Sequence, residues 1–351
     1  MNATLNRIAA GVAGLLPALL ALPISSIAVA AEMLYVGNSG EETIAAISIP
    51  QHEIVRTLRI EGEPDDVVGS SDGRVLYVSV GARKEVPDGF PDSGAVLAVS
   101  AESGKTLWKL PTDGWPHHIS LSRDDRRLYV PIFDRQHALV VDTERHAVVS
   151  RLRGMLGMHG TRLSADDGKL YAGSMLTNVL FVFDTATSEL VSSIPFEEGV
   201  RPFAIARDQR LAYVQQSKLH GFRVVDLVSG RMLRTVELPA LPAGTRLPDR
   251  WPYNVNHGMD LSPDEKYLLA AGSIVGTVEI YSAPGLEHLK SIEVGTDPNW
   301  IVFSSDGRYA YVSCRRAGEI SVIDMRSLTE ARRIRSVGKG PARMRVVKTP
   351  S

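Results

Sequence analysis

Cysteine is nearly absent from this chain of 351 residues, which has only Cys314. A single cysteine excludes an intramolecular disulfide, so stability must come from a hydrophobic core. The sequence has no C-x-x-C-H motif, and this absence excludes covalent attachment of a c-type haem. We expect Cys314 to be a small buried residue; as a metal ligand it would favour copper.

Net charge and long apolar runs are also lacking. The formal net charge is -1, which gives no reason to expect a nucleic acid or an anionic membrane as partner. Arg7 precedes an apolar run over 8–22, and Ala28-Val29-Ala30 fits a cleavage site. These features predict a signal peptide over 1–30 and a periplasmic or secreted protein, with a retained anchor as the alternative. After cleavage, no run is long enough to span a membrane.

Helical periodicity is missing from the rest of the chain, and a repeat takes its place. A short strand, an acidic turn and a strand of the type L-Y-V recur in EPDDVVGSSDGRVLYVSV, WPHHISLSRDDRRLYVPI and DPNWIVFSSDGRYAYVSC, among other copies. A third strand ending in Asp usually follows, as in ALVVDT, and then a fourth. Asp-Gly and Asp-Asp between apolar runs are typical of hairpin turns.

The spacing of the repeats predicts the fold. Equivalent positions are separated by 52, 42, 44, 54, 42 and 43 residues, and they are Pro64, Pro116, Met158, Pro202, Asn256, Pro298 and Pro341. Four strands in 40–45 residues are typical of a propeller blade. We therefore predict an all-β fold, a seven-bladed β-propeller of four-stranded antiparallel blades in one domain, 31–351. The N- and C-terminal strands should close the last blade, which removes free sheet edges.

The residue that follows each repeat marker varies, and three of the seven are histidines. The positions hold Asp65, His117, His159, Phe203, His257, Asn299 and Ala342. Equivalent inner strands surround one tunnel, so these side chains should converge. Three imidazoles can hold copper, zinc, iron or nickel, and an exported protein with nitrogen ligands favours copper or iron. Asp65 or Asp66 could be a further ligand or orient an imidazole.

Two alternatives remain open at this point for the histidines. They could be polar tunnel residues bonded to water and backbone carbonyls, or His117 could be a general base. Strand alternation predicts that His118 points away from His117 and packs in the core. The other histidines are expected at the surface, and they are His52, His137, His146, His220 and His288.

The two long repeat steps predict loops on the face that carries the histidines. They contain insertions at 81–94 and 239–258. Aromatic residues near this face could stack on a flat ligand, and they are Trp115, Trp251, Tyr253 and Trp300. Arg201 and Arg343 could clamp a carboxylate, with Asn299 beside them. Further basic residues predict a rim that favours a small anionic ligand, and they are Arg83, Lys84, Arg250, Arg315 and Arg316.

The strands LYVSV and AYVSC, with their S-x-D-G turns, resemble the YVTN-type propeller repeat. That superfamily is similar to the haem-d1-binding propeller of cytochrome cd1 nitrite reductases. The resemblance implies a haem-like tetrapyrrole, with axial or distal histidines at His117, His159 and His257. The chain has no cytochrome c domain, so a carrier or cofactor-biogenesis role is implied rather than the complete reductase.

Three functions are therefore predicted as alternatives. The first is an exported propeller that binds a metal, a metallo-cofactor or a small anionic ligand, in redox chemistry or cofactor biogenesis. The second follows from a resemblance to lactonase-type propellers, with His117 as the base and Arg201 and Arg343 polarising the ester. The sequence lacks an obvious inner-strand Glu to match the lactonase pattern, which weakens this alternative. The third is a non-catalytic scaffold for another periplasmic protein.

Overall fold

The computed structural model describes residues 32–81, 93–154, 156–249 and 254–349. The predicted signal peptide lies outside the described residues, as do 82–92 of the first insertion and 250–253 of the second. Among the residues described, no helix is long and apolar enough to cross a membrane.

The described chain forms seven four-stranded antiparallel sheets, which confirms the predicted seven-bladed β-propeller. The strands nearest the axis are β4 Glu63–Gly69, β8 Ser120–Leu121, β12 Met158–Leu163, β16 Val200–Ile205, β20 Met259–Leu261, β24 Pro298–Phe303 and β28 Pro341–Lys348. The second strands are β1 Glu32–Asn38, β5 Val75–Gly81, β9 Arg127–Ile132, β13 Lys169–Ser174, β17 Leu211–Gln216, β21 Tyr267–Gly272 and β25 Tyr309–Cys314. The third strands are β2 Thr43–Ile49, β6 Gly94–Ser100, β10 His137–Asp142, β14 Val179–Asp184, β18 Gly221–Asp226, β22 Thr277–Ser282 and β26 Glu319–Asp324. The outer strands are β3 Ile54–Arg59, β7 Thr106–Thr112, β11 Ala147–Arg153, β15 Leu190–Pro195, β19 Arg231–Glu237, β23 His288–Glu293 and β27 Thr329–Ile334.

The two ends of the described chain share the last blade. Its strand order is β28-β1-β2-β3, and the β1–β28 register pairs Glu32 with Lys348 and Asn38 with Pro341. The predicted closure by terminal strands is therefore confirmed. Closure pairs the inner edge of β1, which would otherwise offer free backbone groups to other chains.

Apolar side chains on both faces of the blades build the core. The second and third strands are buried along almost their whole length, whereas the outer strands are mostly exposed. The buried residues form seven clusters, and each cluster joins two neighbouring blades. Cys314 lies fully buried in one of them, as expected, with Sγ 3.6 Å from the Ser321 hydroxyl.

The S-x-D turns between first and second strands have a common hydrogen-bond pattern. In the second blade, the Ser122 hydroxyl donates to Asp124 at 2.6 Å and accepts from the Arg127 amide at 2.9 Å. The next residue, Asp125, has a φ of 61°, which explains why glycine holds the equivalent position in other copies. The Asp125 carboxylate also accepts the Ser71 amide of the preceding blade at 2.8 Å, so the turn helps to join blades.

The inner strands are irregular where they begin. Register shifts occur between Pro64 and Asp66, between Met158 and Gly160, and between Pro298 and Trp300. In the second blade, β8 has only two residues, and the two residues before Ile119 lie outside the ladder. Strand alternation fails at such bulges, which re-aim side chains and often lie next to functional sites.

Candidate functional site

Four histidines meet on the propeller axis. Three of them, His117, His159 and His257, are those predicted from the sequence, and the fourth is His118. All four are buried, and none is more than 7% exposed. The ring centroids lie 4.6 Å apart for His117 and His159, 4.2 Å for His118 and His159, and 5.8 Å for His159 and His257.

His118 is the point at which the sequence prediction is wrong. It does not pack away from His117; their ring centroids are 4.7 Å apart. The reason is local: His118 is outside the β8 ladder and instead forms an isolated parallel bridge with Gly160 of the next blade. Two consecutive side chains can therefore both reach the axis.

The hydrogen bonds of His257 indicate which of its nitrogens is free. Its Nδ1 lies 2.8 Å from the backbone oxygen of Asn299. Because a carbonyl only accepts, Nδ1 carries the proton and Nε2 keeps its lone pair. A backbone carbonyl behind an imidazole is a common arrangement at metal sites, where it fixes the ring and its tautomer.

His117 has a comparable arrangement with a carboxylate. Its Nδ1 lies 2.8 Å from Asp65 Oδ2, at hydrogen-bond distance although the angle departs from ideal hydrogen-bond geometry. A carboxylate behind Nδ1 favours the proton on that nitrogen and leaves the Nε2 lone pair available. Asp65 is 8% exposed, so the pair lies away from bulk water.

Arg343 determines which nitrogen of His118 carries the proton. Its Nε donates to His118 Nε2 at 2.8 Å, and its Nη1 donates to Asn299 Oδ1 at 2.6 Å. Because a guanidinium only donates, His118 Nε2 must be the acceptor and Nδ1 must carry the proton. His118 therefore has no lone pair for a cation while this contact holds, and its Nδ1 is buried without a hydrogen bond.

One group of possible ligand atoms stands out by distance. One nitrogen from each of His117, His118 and His159 lies within 4.8 Å of the others. His159 Nδ1 is also buried without a hydrogen-bond partner among the residues described. Buried polar atoms without partners are uncommon in folded proteins and call for an explanation such as an ion or a bound ligand.

A second buried arginine lies near the histidines. Arg201 is 3% exposed, and its Nε donates to the Ser217 hydroxyl at 3.0 Å. Its Nη2 is buried without a hydrogen bond. Burial lowers the pKa of Arg201 to about 10, which still leaves it charged at neutral pH.

Most of these side chains, but not His118, line a cavity of about 140 Å³ at one end of the tunnel, which we call the histidine chamber. Its lining includes Asp65, Trp115, His117, His159, Arg201, His257, Asn299, Arg315 and Arg343. The structure thus brings together most of the residues predicted for the site. Their roles as ligands or catalysts stay predictions.

Some predicted residues lie elsewhere. Trp300 and Asp66 line a second cavity on the far side of the histidines, because the bulges at the start of β24 and β4 turn them away. Trp251 and Tyr253 lie outside the described residues. His52 is buried rather than at the surface, with Nε2 3.2 Å from the Tyr311 hydroxyl.

Burial controls the charge of the cluster. It lowers the pKa of His118, His159 and His257 well below the usual value, and nearby positive charge on Arg343 adds to the effect. The three imidazoles are therefore neutral at pH 7, the state in which histidine binds metals. Burial raises the pKa of Asp66 to about 7.

We expect the stability of the metal-free protein to fall as the pH drops below about 6.5, the usual histidine pKa in an unfolded chain. Each of His118, His159 and His257 then takes up a proton only on unfolding, which costs about 1.4 kcal/mol per pH unit. The contribution of Asp66 cancels that of one histidine. Its pKa is raised in the folded state, so the folded form gains stability as the pH falls from 7 to 4. The net slope should be about 2–3 kcal/mol per pH unit.

Urea denaturation with a chelator present, followed by circular dichroism at about pH 7.5 and about pH 5.5, measures this slope. The variant His159→Gln should lower this slope by the contribution of one proton, about 1.4 kcal/mol per pH unit. A stability that is flat or rises on acidification would contradict the neutral state of the buried imidazoles.

No family model and no characterised protein sequence matches the chain. Solved structures do share its fold. The periplasmic gluconolactonase of Pseudomonas aeruginosa has a TM-score of 0.72 and 19% identity, covering 91% of this chain and 100% of its own. Kuenenia stuttgartiensis hydrazine synthase has a TM-score of 0.65 and 17% identity, covering 82% and 95%. A dihydro-heme d1 dehydrogenase in complex with DHE has a TM-score of 0.59 and 16% identity, covering 86% and 63%.

At these identities the likeness concerns the fold alone. It agrees with the resemblance to haem-d1-type propellers and equally with the resemblance to lactonases. The chain is a seven-bladed β-propeller whose architecture is shared by a gluconolactonase and a haem d1 dehydrogenase.

Proposed function

We propose that this protein is an exported β-propeller that binds one transition-metal ion on its axis, together with a small anionic ligand. His117, His159 and His257 are the proposed ligands, and copper or iron is the proposed metal. The observation that carries the proposal is the cluster of buried imidazoles on the axis, in which one nitrogen from each of His117, His118 and His159 lies within 4.8 Å of the others and His159 Nδ1 has no hydrogen-bond partner among the residues described. Export rests on the predicted signal peptide and agrees with a periplasmic protein among the structural relatives.

The tautomers support this choice of ligands over one that includes His118. His117 and His257 each have a hydrogen-bond acceptor near Nδ1, which leaves Nε2 for the ion. His118 presents a protonated Nδ1, because Arg343 occupies its other nitrogen.

The charges around the histidines support an anion beside the metal. Arg201 and Arg343 are buried cations, and Asp65 is the only carboxylate that lines the described part of the chamber. Adding a divalent cation alone would increase a local positive charge, at a cost that low solvent access makes large. A carboxylate or oxyanion bound by Arg201 and by the metal would offset this cost.

A haem-like cofactor would have to be held beside the histidines rather than among them. The imidazole rings lie 4.2–5.8 Å apart on the axis, so a macrocycle has no space between them. If such a cofactor were bound, Trp115 and one of the chamber's imidazoles would hold it. Such a group would supply redox chemistry, while the arginines would bind its carboxylates.

Elemental analysis of untagged protein from the periplasmic fraction tests the proposal. We expect about one copper or iron ion per chain after gel filtration without chelating resins. A visible absorption band at tetrapyrrole wavelengths would instead identify the larger cofactor. Protein that contains no metal, and binds none on titration with copper(I), copper(II) or iron(II), would refute the metal site.

One observation favours a second candidate, a lactone hydrolase. The His117–Asp65 pair resembles a base with its orienting carboxylate, and Arg201 lies in the same chamber. The fold is also that of a gluconolactonase. Hydrolysis of gluconolactones that persists after chelation and is lost in His117→Ala would favour this function over metal binding.

A further inference from the structure

A second cavity of about 270 Å³ lies on the other side of the histidines, and we call it the Arg345 chamber. It is surrounded by the ends of the inner strands and by the S-x-D turns, opposite the face that carries the histidine chamber. Its lining includes Asp66, His118, Arg162, Phe203, Asp260, Trp300, Val302, Met344 and Arg345. None of the functions proposed above uses it.

Arg345 is the charged group of this chamber that lacks a partner. It lies on β28, and burial within the tunnel lowers its pKa, yet its side chain remains accessible because it lines the cavity. Its guanidinium makes no hydrogen bond and no ion pair with the other residues that the structure describes, although its backbone belongs to the β1–β28 ladder. Its electrostatic interactions are with Asp66, Arg162 and Asp260, without direct contact.

The other charged groups of the chamber already have partners. Arg162 pairs with Asp260 at 2.9 Å and donates to the Met259 carbonyl at 3.1 Å. Asp66 accepts the backbone amides of Val67 at 2.8 Å and Ile119 at 2.9 Å. Because these carboxylates are held by other donors, the guanidinium of Arg345 keeps its hydrogen-bonding capacity for a ligand.

Part of the chamber wall is apolar. Phe203, Val302 and Met344 are buried there, and Trp300 keeps part of its surface accessible. Arg343 stacks on the Trp300 ring, with Cζ 4.4 Å from the centroid, which fixes the orientation of the indole. Much of the rest of the lining is polar, so the chamber offers an apolar wall together with polar groups that can fix the orientation of a small molecule.

We propose that the Arg345 chamber binds a small monocarboxylate with an apolar or aromatic body. The carboxylate accepts two hydrogen bonds from the Arg345 guanidinium, a geometry that the planar fork of arginine favours. The apolar body lies against Trp300, Phe203 and Val302. This site is separate from the histidine chamber and does not depend on the metal.

Isothermal titration calorimetry with 3-phenylpropionate tests this inference, with 3-phenylpropanamide as the uncharged control. We expect the carboxylate to bind and the amide to bind much more weakly. Arg345→Met preserves the length of the side chain and should weaken binding about 10- to 100-fold, the value of a charge-assisted pair of hydrogen bonds. Arg345→Lys keeps the charge without the fork and should give an intermediate affinity.

Matched variants locate the site. Arg201→Met removes a buried arginine of the histidine chamber and should leave binding in the Arg345 chamber unchanged, as should the exposed control Arg74→Met. We expect the bound ligand to quench the fluorescence of Trp300, so Trp300→Phe should remove this quenching. Unfolding curves of each variant check that the fold is intact.

Two results would overturn the inference. One is the absence of binding to the wild-type protein, and the other is binding that Arg201→Met weakens and Arg345→Met does not. Both are independent of the metal content, so failure here and failure of the proposed metal site can be told apart.

Discussion

The variant His159→Ala should lose the bound metal while keeping the propeller fold. His159 has the central position, with ring centroids 4.6 Å from His117 and 5.8 Å from His257. Removing one of three ligands should weaken binding more than about 100-fold, because loss of a residue behind a ligand alone costs 10–100-fold. The metal content of untagged protein, measured by elemental analysis, should then fall from about one ion per chain to below about one tenth.

Two further variants make this result specific. His118→Gln should retain the metal, because Arg343 occupies the only nitrogen of His118 that could offer a lone pair. His146→Asn changes an exposed histidine with a φ of 54°, a conformation that asparagine tolerates, and should have no effect. Equal loss of metal in His118→Gln and His159→Ala would refute the assigned ligands and favour the group defined by distance alone.

Loss of metal must also be separated from loss of the fold. His159→Ala removes a buried side chain, so some destabilisation is expected from the cavity it leaves. It also removes one imidazole whose protonation destabilises the fold in acid, so the variant should be less sensitive to low pH. A variant that unfolds cooperatively and lacks metal identifies His159 as a ligand. A variant that does not fold gives no information about the ligands.

The fold could be predicted from the sequence because its signals are local and repeated. Each S-x-D turn forms the same hydrogen bonds within five residues, as Ser122, Asp124 and Arg127 show. The apolar second and third strands follow each turn at a constant distance. Closure by β28 followed from counting the strands that remained at the two ends of the chain.

The site could be predicted only in part. The positions of His117, His159 and His257 follow from their equivalence in the repeat. The inclusion of His118 and the displacement of Trp300 depend on bulges at the start of the inner strands, which leave no pattern in the sequence. Alternation is a rule for regular strands, and the residues nearest the axis are those that do not obey it.

The same bulges explain why the tunnel is divided. Adjacent residues on one strand line opposite chambers, as Asp65 and Asp66 do. Arg343 lies in the dividing layer, where it bonds His118 and stacks on Trp300. Histidines and arginines thus fill this part of the axis, and the buried charge of Arg343 is stabilised by hydrogen bonds to His118 and Asn299 of other blades.

Deletion of residues 341–351 should prevent the protein from folding. The deletion removes β28, the inner strand of the closing blade, and with it the buried side chains of Met344 and Val347. Each such apolar side chain contributes about 1.5–3 kcal/mol, and each lost ladder hydrogen bond about 1 kcal/mol. Six pairs of residues join β28 to β1, so the total loss is comparable to the whole stability of a domain, about 5–15 kcal/mol.

The matched control is deletion of residues 349–351 alone, which begins after Lys348, the last residue of β28. This shorter chain should be soluble and should unfold in urea with the wild-type midpoint, followed by circular dichroism and by gel filtration. The longer deletion exposes the inner edge of β1 and should be recovered as aggregate, because free strand edges pair with other chains. A soluble product of the longer deletion with a cooperative transition would show that β28 does not close the ring, and it would leave Arg343 and Arg345 without the structural role given to their strand.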